Sequence, residues 1–423
     1  MEPTKPPGKS AYQEVFTFYL DLDLPRRFGF AHAAFFGKNV LGRLGSLIRS
    51  WAGNWWLRRR RRVGFQADMV GKRWVVVGTR NHENSVAFLA EKAPYVLVAA
   101  NFYDAKGDHR KIDWYPRSKL SYLPAYWSFF WHARRQAPGH FREVFHHLGH
   151  GMGVLENQWH VLRRYRPELI VLSNDHLPWY RALTVAARAL GIPTVYLQHA
   201  CVADNFPPLR NDLSLLDGQD ALDKYRAHDK PIYGRVELVG MAKYEQYREL
   251  RNPSDRLQSL SIPYNLTDDL DQIKETVTYL RTALPGVTIT LRKHPRDDRP
   301  FSITGVRWSD SRQEPALEFL RTQDAIIAGE SSIHLEAALM NVSSVYFQFQ
   351  PKGVVITDHY GFIANGLVPV VEDRNQLMEL LRNWTERRPN RVDQLAYYSA
   401  DPGPAGSQER IRRAIEELVA RST

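Results

Sequence analysis

The chain has 423 residues, room for two domains, and its 43% hydrophobic and 24% charged content is that of a globular protein with a buried core, which excludes a disordered or fibrous chain. One cysteine, Cys201, excludes an intramolecular disulfide and is the usage expected of a reducing compartment. The net charge of +11 is not a general nucleic-acid footprint, because residues 26–62 hold ten Lys or Arg and no Asp or Glu while the remainder is close to neutral.

In chain order, the first predicted element is that basic segment. Phe36, Val40, Leu44, Leu47, Ile48, Trp51 and Trp55 recur at helical spacing, Lys38 and Arg49 lie opposite, and the run closes on WWLRRRRR. Two readings are open: a helix lying in an anionic membrane surface, or a helix docked on the core with a solvated charge run behind it. Gly37, Gly42, Gly45 and Gly53 weaken the helix. No run approaches the roughly 20 apolar residues of a membrane-spanning helix. The opening MEPTKPPGKS lacks the pattern of a secretory signal.

KRWVVVGTR (72–80) and PYVLVAANFYD (94–104) read as buried parallel strands. Residues 105–135 read as irregular and aromatic, either packing beneath a long loop or forming an acceptor surface, since aromatic rings stack on sugars and pack against lipids. A helix is expected over 138–165. Its His146 and His150 are spaced i, i+4 but lack the acid of H-E-x-x-H, so a histidine-rich surface is preferred to a metal site there.

A β-α-β rhythm follows: PELIVLSND, WYRALTVAARALG and IPTVYLQHA, then LSLLDGQDALDKYR and RVELVG to Gly240. A second series begins near residue 255, with a helix over 268–284, strands at VTITLRKHP, DAIIAG and SSVYFQF, helices at EPALEFLRTQ and SSIHLEAALM, and a last amphipathic helix over 406–420. The fold class expected is α/β with two doubly wound domains around a cleft. Residues 1–70 are expected to form a basic extension, 71–245 and 250–395 the two Rossmann-like domains, and 396–423 a C-terminal helix.

Two polar motifs end strands of the second domain. Ser331 and Ser332 stand between a strand and a helix, where backbone donors favour an anion, although one Ser there is also an ordinary N-cap. His294 ends the LRKHP strand, flanked by Arg292, Lys293 and Arg296 and stopped by Pro295.

LRKHPRD followed by AIIAGESSIHLEAAL resembles the HP and SS motifs of bacterial sialyltransferases and capsule-type Kdo transferases. GIPTVYLQHACV and VELVGMAKYEQY resemble segments of surface-polysaccharide glycosyltransferases of GT-B fold, the likeness covering roughly 165–375. It implies that His294, Ser331 and Ser332 hold the phosphate of a CMP-activated sugar such as Kdo or another nonulosonic acid. It implies an acidic catalytic residue in the first domain, matched here by Asp175, with His199 of QHA as a further catalytic candidate. Arg292, Lys293, Glu330, Glu336 and Lys243 are expected to serve the donor.

An acceptor proton needs a base, and the departing phosphate needs positive charge and hydrogen-bond donors. Asp175 reads equally as a helix cap. No D-x-D segment is read as a metal motif, so no metal is expected. The expected partners are a nucleotide-sugar donor, a glycan or glycolipid acceptor and, through residues 26–62, an anionic membrane surface, which places the protein at the inner face of the cell membrane and without nucleic acid. The competing readings are a CDP-polyol phosphotransferase, a UDP-sugar 2-epimerase-like enzyme, or a non-catalytic membrane-surface scaffold.

Overall fold

A computed structural model describes residues 14–15, 40–100, 102–136, 138–175, 177–202, 206–227, 231–247, 256–349, 358–382, 392–401 and 403–422. Phe36, Lys38 and the rest of 26–39 lie outside them, as do His176 and the side chains of His140, His146 and His147.

Among the described residues thirteen strands form two sheets, every pairing parallel. The first sheet holds β1 (Arg73–Val77), β2 (Tyr95–Ala100), β3 (Arg110–Ile112), β4 (Leu169–Leu172), β5 (Thr194–Leu197), β6 (Leu213–Leu216) and β7 (Arg235–Leu238) in the order β3-β2-β1-β4-β5-β6-β7. The second holds β8 (Ser259–Tyr264), β9 (Thr288–Lys293), β10 (Arg307–Ser309), β11 (Ala325–Ala328), β12 (Ser343–Phe347) and β13 (Val370–Val371) in the order β10-β9-β8-β11-β12-β13. The order reverses between β1 and β4 and between β8 and β11. Those reversals open a crevice at the carboxyl edge of each sheet.

Parallel strands are covered on both faces, which is why WVVV in β1 is buried throughout. Alternation sorts the side chains. The helices α1 (Val40–Arg60), α2 (Arg80–Val86) and α3 (Leu123–Gln136) are followed by α4 (Pro138–Tyr165) and α5 (Pro178–Ala189), and with these last two Trp74, Val76, Ile170 and Leu172 form one core. Val75, Val77, Leu169 and Val171 join another, whose cover includes Ile411, Ala414, Ile415 and Val419 of the last helix. That cover comes from the far end of the chain. Numbered after α6 (Gln219–Arg226), α7 (Leu270–Ala283), α8 (Ala316–Arg321), α9 (Ile333–Leu339), α10 (Arg374–Arg382) and α11 (Val392–Tyr398), it is α12 (Ser407–Ser422).

The irregular reading of 105–135 is corrected: β3 pairs with β2 there, and α3 follows. Its aromatic residues fall at helical spacing, with Tyr126, Phe129 and Phe130 buried. The apolar face expected of the basic helix is split. Leu47 is buried and Trp51 Nε1–H donates to the Gly149 carbonyl at 3.0 Å, whereas Ile48 and Trp55 stay 63% and 58% exposed. His150 is not a surface histidine but a buried contact between α1 and α4, with Ser50 Oγ 3.1 Å from its Nε2.

The chain crosses between the domains twice, and the crossings touch. The Gln408 amide donates to Glu245 at 2.8 Å. Ala400 N–H donates to the Asp217 carbonyl at 2.8 Å, and Gly218 lies directly on the Tyr398 backbone. A methyl group at Gly218 would meet the Tyr398 carbonyl carbon at 2.4 Å and its oxygen at 2.5 Å. Backbone cannot yield as a side-chain tip can. Gly218→Ala is expected to cost about 1–3 kcal/mol, the range for overpacking, seen as a lower melting temperature and faster proteolysis between α11 and α12. An unchanged melt and an unchanged cleavage pattern would count against this packing.

Candidate active site

On the carboxyl edge of the second sheet, the loops after β8, β9 and β11 are stitched together. Asn265 Nδ2 donates to the Glu330 carbonyl at 2.9 Å. Arg299 pairs with Asp297 at 2.7 Å and donates to the carbonyls of Asn265 and Asp268 at 2.9 and 2.7 Å. His294 and the Ser331–Ser332 turn therefore belong to one edge, but they flank β8 rather than adjoin. Strands two apart are separated by about 10 Å, a span suited to a nucleotide diphosphate or sugar phosphate between them.

His294 is half-buried. Burial, then Arg296, holds its pKa below the ordinary histidine value, with Asp297 acting the other way. Its Nδ1 accepts the Arg296 amide at 3.1 Å, so the neutral ring carries its proton on Nε2 and offers a donor there. Ser331 Oγ accepts the Ile333 amide at 3.4 Å, while Ser332 stands at the N-cap of α9 without a side-chain capping bond. Both serines are half-buried. Behind them His334, absent from the sequence expectations, is wholly buried; Nε2 lies 2.9 Å from the Gly329 carbonyl and Nδ1 meets Ser344 Oγ. It fixes the turn that presents the serines. The only sequence signal was a histidine among apolar neighbours in SSIHLEAAL.

One other expected residue, Arg292, is differently employed. Arg292 is 6% exposed and points away from ligand duty: its guanidinium donates to Ser309 Oγ at 2.5 Å and the Glu314 carbonyl at 2.7 Å, and lies over Phe319. Alternation along β9 leaves Lys293 on the opposite face, half-buried. Glu330 accepts the His359 amide at 3.0 Å.

On the first sheet, Asp175 corrects the expectation of an open general base. It is 3% exposed and accepts the Tyr225 hydroxyl at 2.8 Å, and its charge acts on the buried Arg181 guanidinium, whose pKa burial lowers to about 10. The helix-capping role falls to its neighbour: Asn174 Oδ1 accepts the Leu177 amide at 2.8 Å ahead of α5. His199, at the end of β5, is half-buried, with its Nδ1 enclosed. Its ring lies edge-on to His82 at 4.6 Å, and His82 Nδ1 is 3.1 Å from the Tyr180 hydroxyl. His82 was also absent from the expectations.

The halves meet at consecutive residues. Lys243 Nζ donates to the His199 carbonyl at 3.2 Å, and the Tyr244 hydroxyl donates to Glu336 at 2.8 Å. Burial and Glu336 raise the Tyr244 pKa well above its ordinary value. Among the described residues no group of three His, Cys, Asp or Glu is placed to hold a metal ion.

No protein-family model matches the sequence, and no curated protein does. Solved structures match. UDP-GlcNAc 2-epimerase from Neisseria meningitidis, bound to UDP-GlcNAc, is 12% identical over 82% of this chain and 100% of that one, with a TM-score of 0.53. The glycotransferase of kitacinnamycin is 12% identical over 84% and 99%, TM-score 0.52. The wall teichoic acid polymerase TagF is 13% identical over 89% and 98%, TM-score 0.50. The fold is GT-B. At such identities the likeness concerns architecture alone, and the chemistry of this GT-B chain must come from its own residues.

Asp217, after β6, is fully buried, which pushes its carboxyl up to about 7 against the pull of Lys243. The unfolded carboxyl ionises near ~3.9. Between those values the folded protein holds a proton that the unfolded chain has released, so this group's stabilisation is complete below about pH 4 and is lost as pH rises through 7. Asp217→Asn should flatten the decline: melting temperatures equal to wild type near pH 4 and higher at pH 8. Parallel pH profiles for the two proteins would show that Asp217 is not a buried proton carrier.

Proposed function

We propose that the chain is a glycosyltransferase that moves a sugar from a nucleotide-activated donor to a glycan or glycolipid acceptor. The observation that carries this is the joining, through Lys243 and Tyr244, of an imidazole on one crevice edge to a hydroxyl-lined turn and a second imidazole on the other. The donor phosphate lies between His294 Nε2–H and the hydroxyls of Ser331 and Ser332, with Lys293 supplying positive charge. Glu330 and Glu336 serve the ribose or base.

The acceptor hydroxyl gives its proton to His199 as its oxygen bonds to the anomeric carbon. The bond from that carbon to the phosphate oxygen breaks, and the negative charge left on the phosphate meets donors already in place. His199 takes the base role because its ring is only half-buried where the Asp175 carboxylate is enclosed. The resemblance of His294-Pro295 and Ser331-Ser332 to sialyl- and Kdo-transferase motifs favours a CMP-linked Kdo or related nonulosonic acid. These residues supply the charge stabilisation themselves, so the reading calls for no metal.

A thermal-shift series with CMP, CDP, UDP and GDP tests the donor class, since only a nucleotide that binds the folded state raises the melting temperature. CMP is expected to give the shift. A shift with UDP alone points to epimerase-like chemistry, and one with CDP alone to polyol-phosphate transfer. His294→Ala should abolish the shift and slow transfer. His199→Ala should preserve the shift and lower kcat by roughly 10²–10⁴, the contribution of a positioned base. Wild-type turnover by His199→Ala removes it from the mechanism.

A further inference from the structure

A surface outside the cleft has the composition of a lipid-headgroup site. Helices α1 and α3 both pack near α4, with the Trp51 ring 5.7 Å from that of Tyr126. Each leaves a stripe uncovered. On α1 it is Leu41, Leu44, Ile48 and Trp55; on α3 it is Leu123, Trp127 and Trp131, spaced i, i+4, i+8, with Trp127 66% exposed. Guanidinium groups lie over the tryptophans, Arg59 at 3.9 Å from the Trp55 ring centroid and Arg134 at 5.4 Å from that of Trp131. Apolar stripe, tryptophan and arginine in that succession match the layers of a bilayer interface.

Beside Trp55 opens a cavity of about 560 Å³ over the edge strand β3, lined by Arg58, Arg59, Arg62, Arg117 and Arg164 against a single lining carboxylate, Asp113. Asp113 is taken by Arg58 at 3.1 Å. The nearby Glu156 is taken by Lys119 at 2.5 Å and His160 at 3.3 Å. Arg117 is held by Asn157 at 3.1 Å, and Arg164 lies over Phe65 at 4.6 Å. Positive charge thus converges on the cavity with one carboxylate in its lining. Guanidinium forks match phosphate oxygens bidentately.

We propose that α1 and α3 together form a platform that enters the surface of an anionic bilayer, and that the arginine cavity seats the phosphate headgroup of a lipid whose chains lie along the exposed stripes. The occupant is a lipid rather than a soluble phosphate because the cavity and the α1 stripe share Trp55. The proposal goes beyond the residues 26–62 read from sequence, since it recruits α3, Arg117 and Arg164. It does not depend on the reaction assigned to the cleft.

The test is flotation of the full chain with vesicles of phosphatidylcholine alone or mixed with one-third phosphatidylglycerol. Wild-type protein should float with the mixed vesicles only, and release as salt rises and screens the surface. Trp127→Ala/Trp131→Ala and, separately, Arg62→Glu/Arg164→Glu should each cut binding at least about tenfold, the latter from about 1 kcal/mol for each basic residue at the surface. Equal flotation on the two vesicle types, or salt-insensitive flotation, overturns the proposal on wild-type protein without any variant. Full binding by the tryptophan variant also overturns it. So does competition by soluble glycerol phosphate at millimolar concentration, which would make the cavity a site for a free phosphate compound. Melting curves confirm that the variants fold.

Discussion

Two consecutive side chains, Lys243 and Tyr244, hold the halves of this molecule in a working relation. One reaches the His199 carbonyl on the first sheet and the other the Glu336 carboxylate beside the second sheet's serine turn. On a 3₁₀ turn, neighbouring side chains diverge widely, so one short segment can address both domains. A hydrogen bond to a charged group in such a setting contributes about 1.5–3 kcal/mol, enough to bias the relative placement of two domains whose own cores are separate. Around the turn, Met241 and Tyr398 of the two crossings pack with Leu335, Tyr346 and Phe362 of the second domain as one apolar cluster.

The rest of the site follows from strand order. Parallel strands deliver all their ends to one edge, and the reversals in order open that edge where loops on opposite sides part. His294 and the serines stand on either side of β8 for this reason, and the salt-bridged Arg299 then locks the intervening loop to its neighbours. Preorganised donors at fixed spacing are what a departing phosphate requires.

Much of this was legible in the sequence. The continuous apolar runs of β1, β4 and β11, the glycine after α5 and the strand-ending polar motifs each carry a local physical signal of two doubly wound domains, and the GT-B architecture that the resemblance implied is the one found. What was not legible depends on partners distant in sequence. Asp175 looked like an exposed acid because nothing local announces Tyr225, 50 residues on, as its donor. Arg292 looked like a ligand because charge at a strand end usually is solvated; its commitment to Ser309 and Glu314 is tertiary. The helix α3 was hidden by its aromatic density, which resembles loop packing until the spacing of Leu123, Trp127 and Trp131 on one side and Tyr126 and Phe130 on the other is read as a period of 3.6.

The covering of the first sheet by α12 bears on how the protein comes into being. Ile411, Ala414, Ile415 and Val419 close a face whose strands leave the ribosome before any of the second sheet is made. During synthesis the nascent first domain therefore presents a naked apolar wall for as long as the second takes to emerge, a period when such surfaces recruit chaperones or one another. A chain cut short before α12 leaves that face of the first sheet without its cover, an exposed apolar surface that sets it apart from the completed protein.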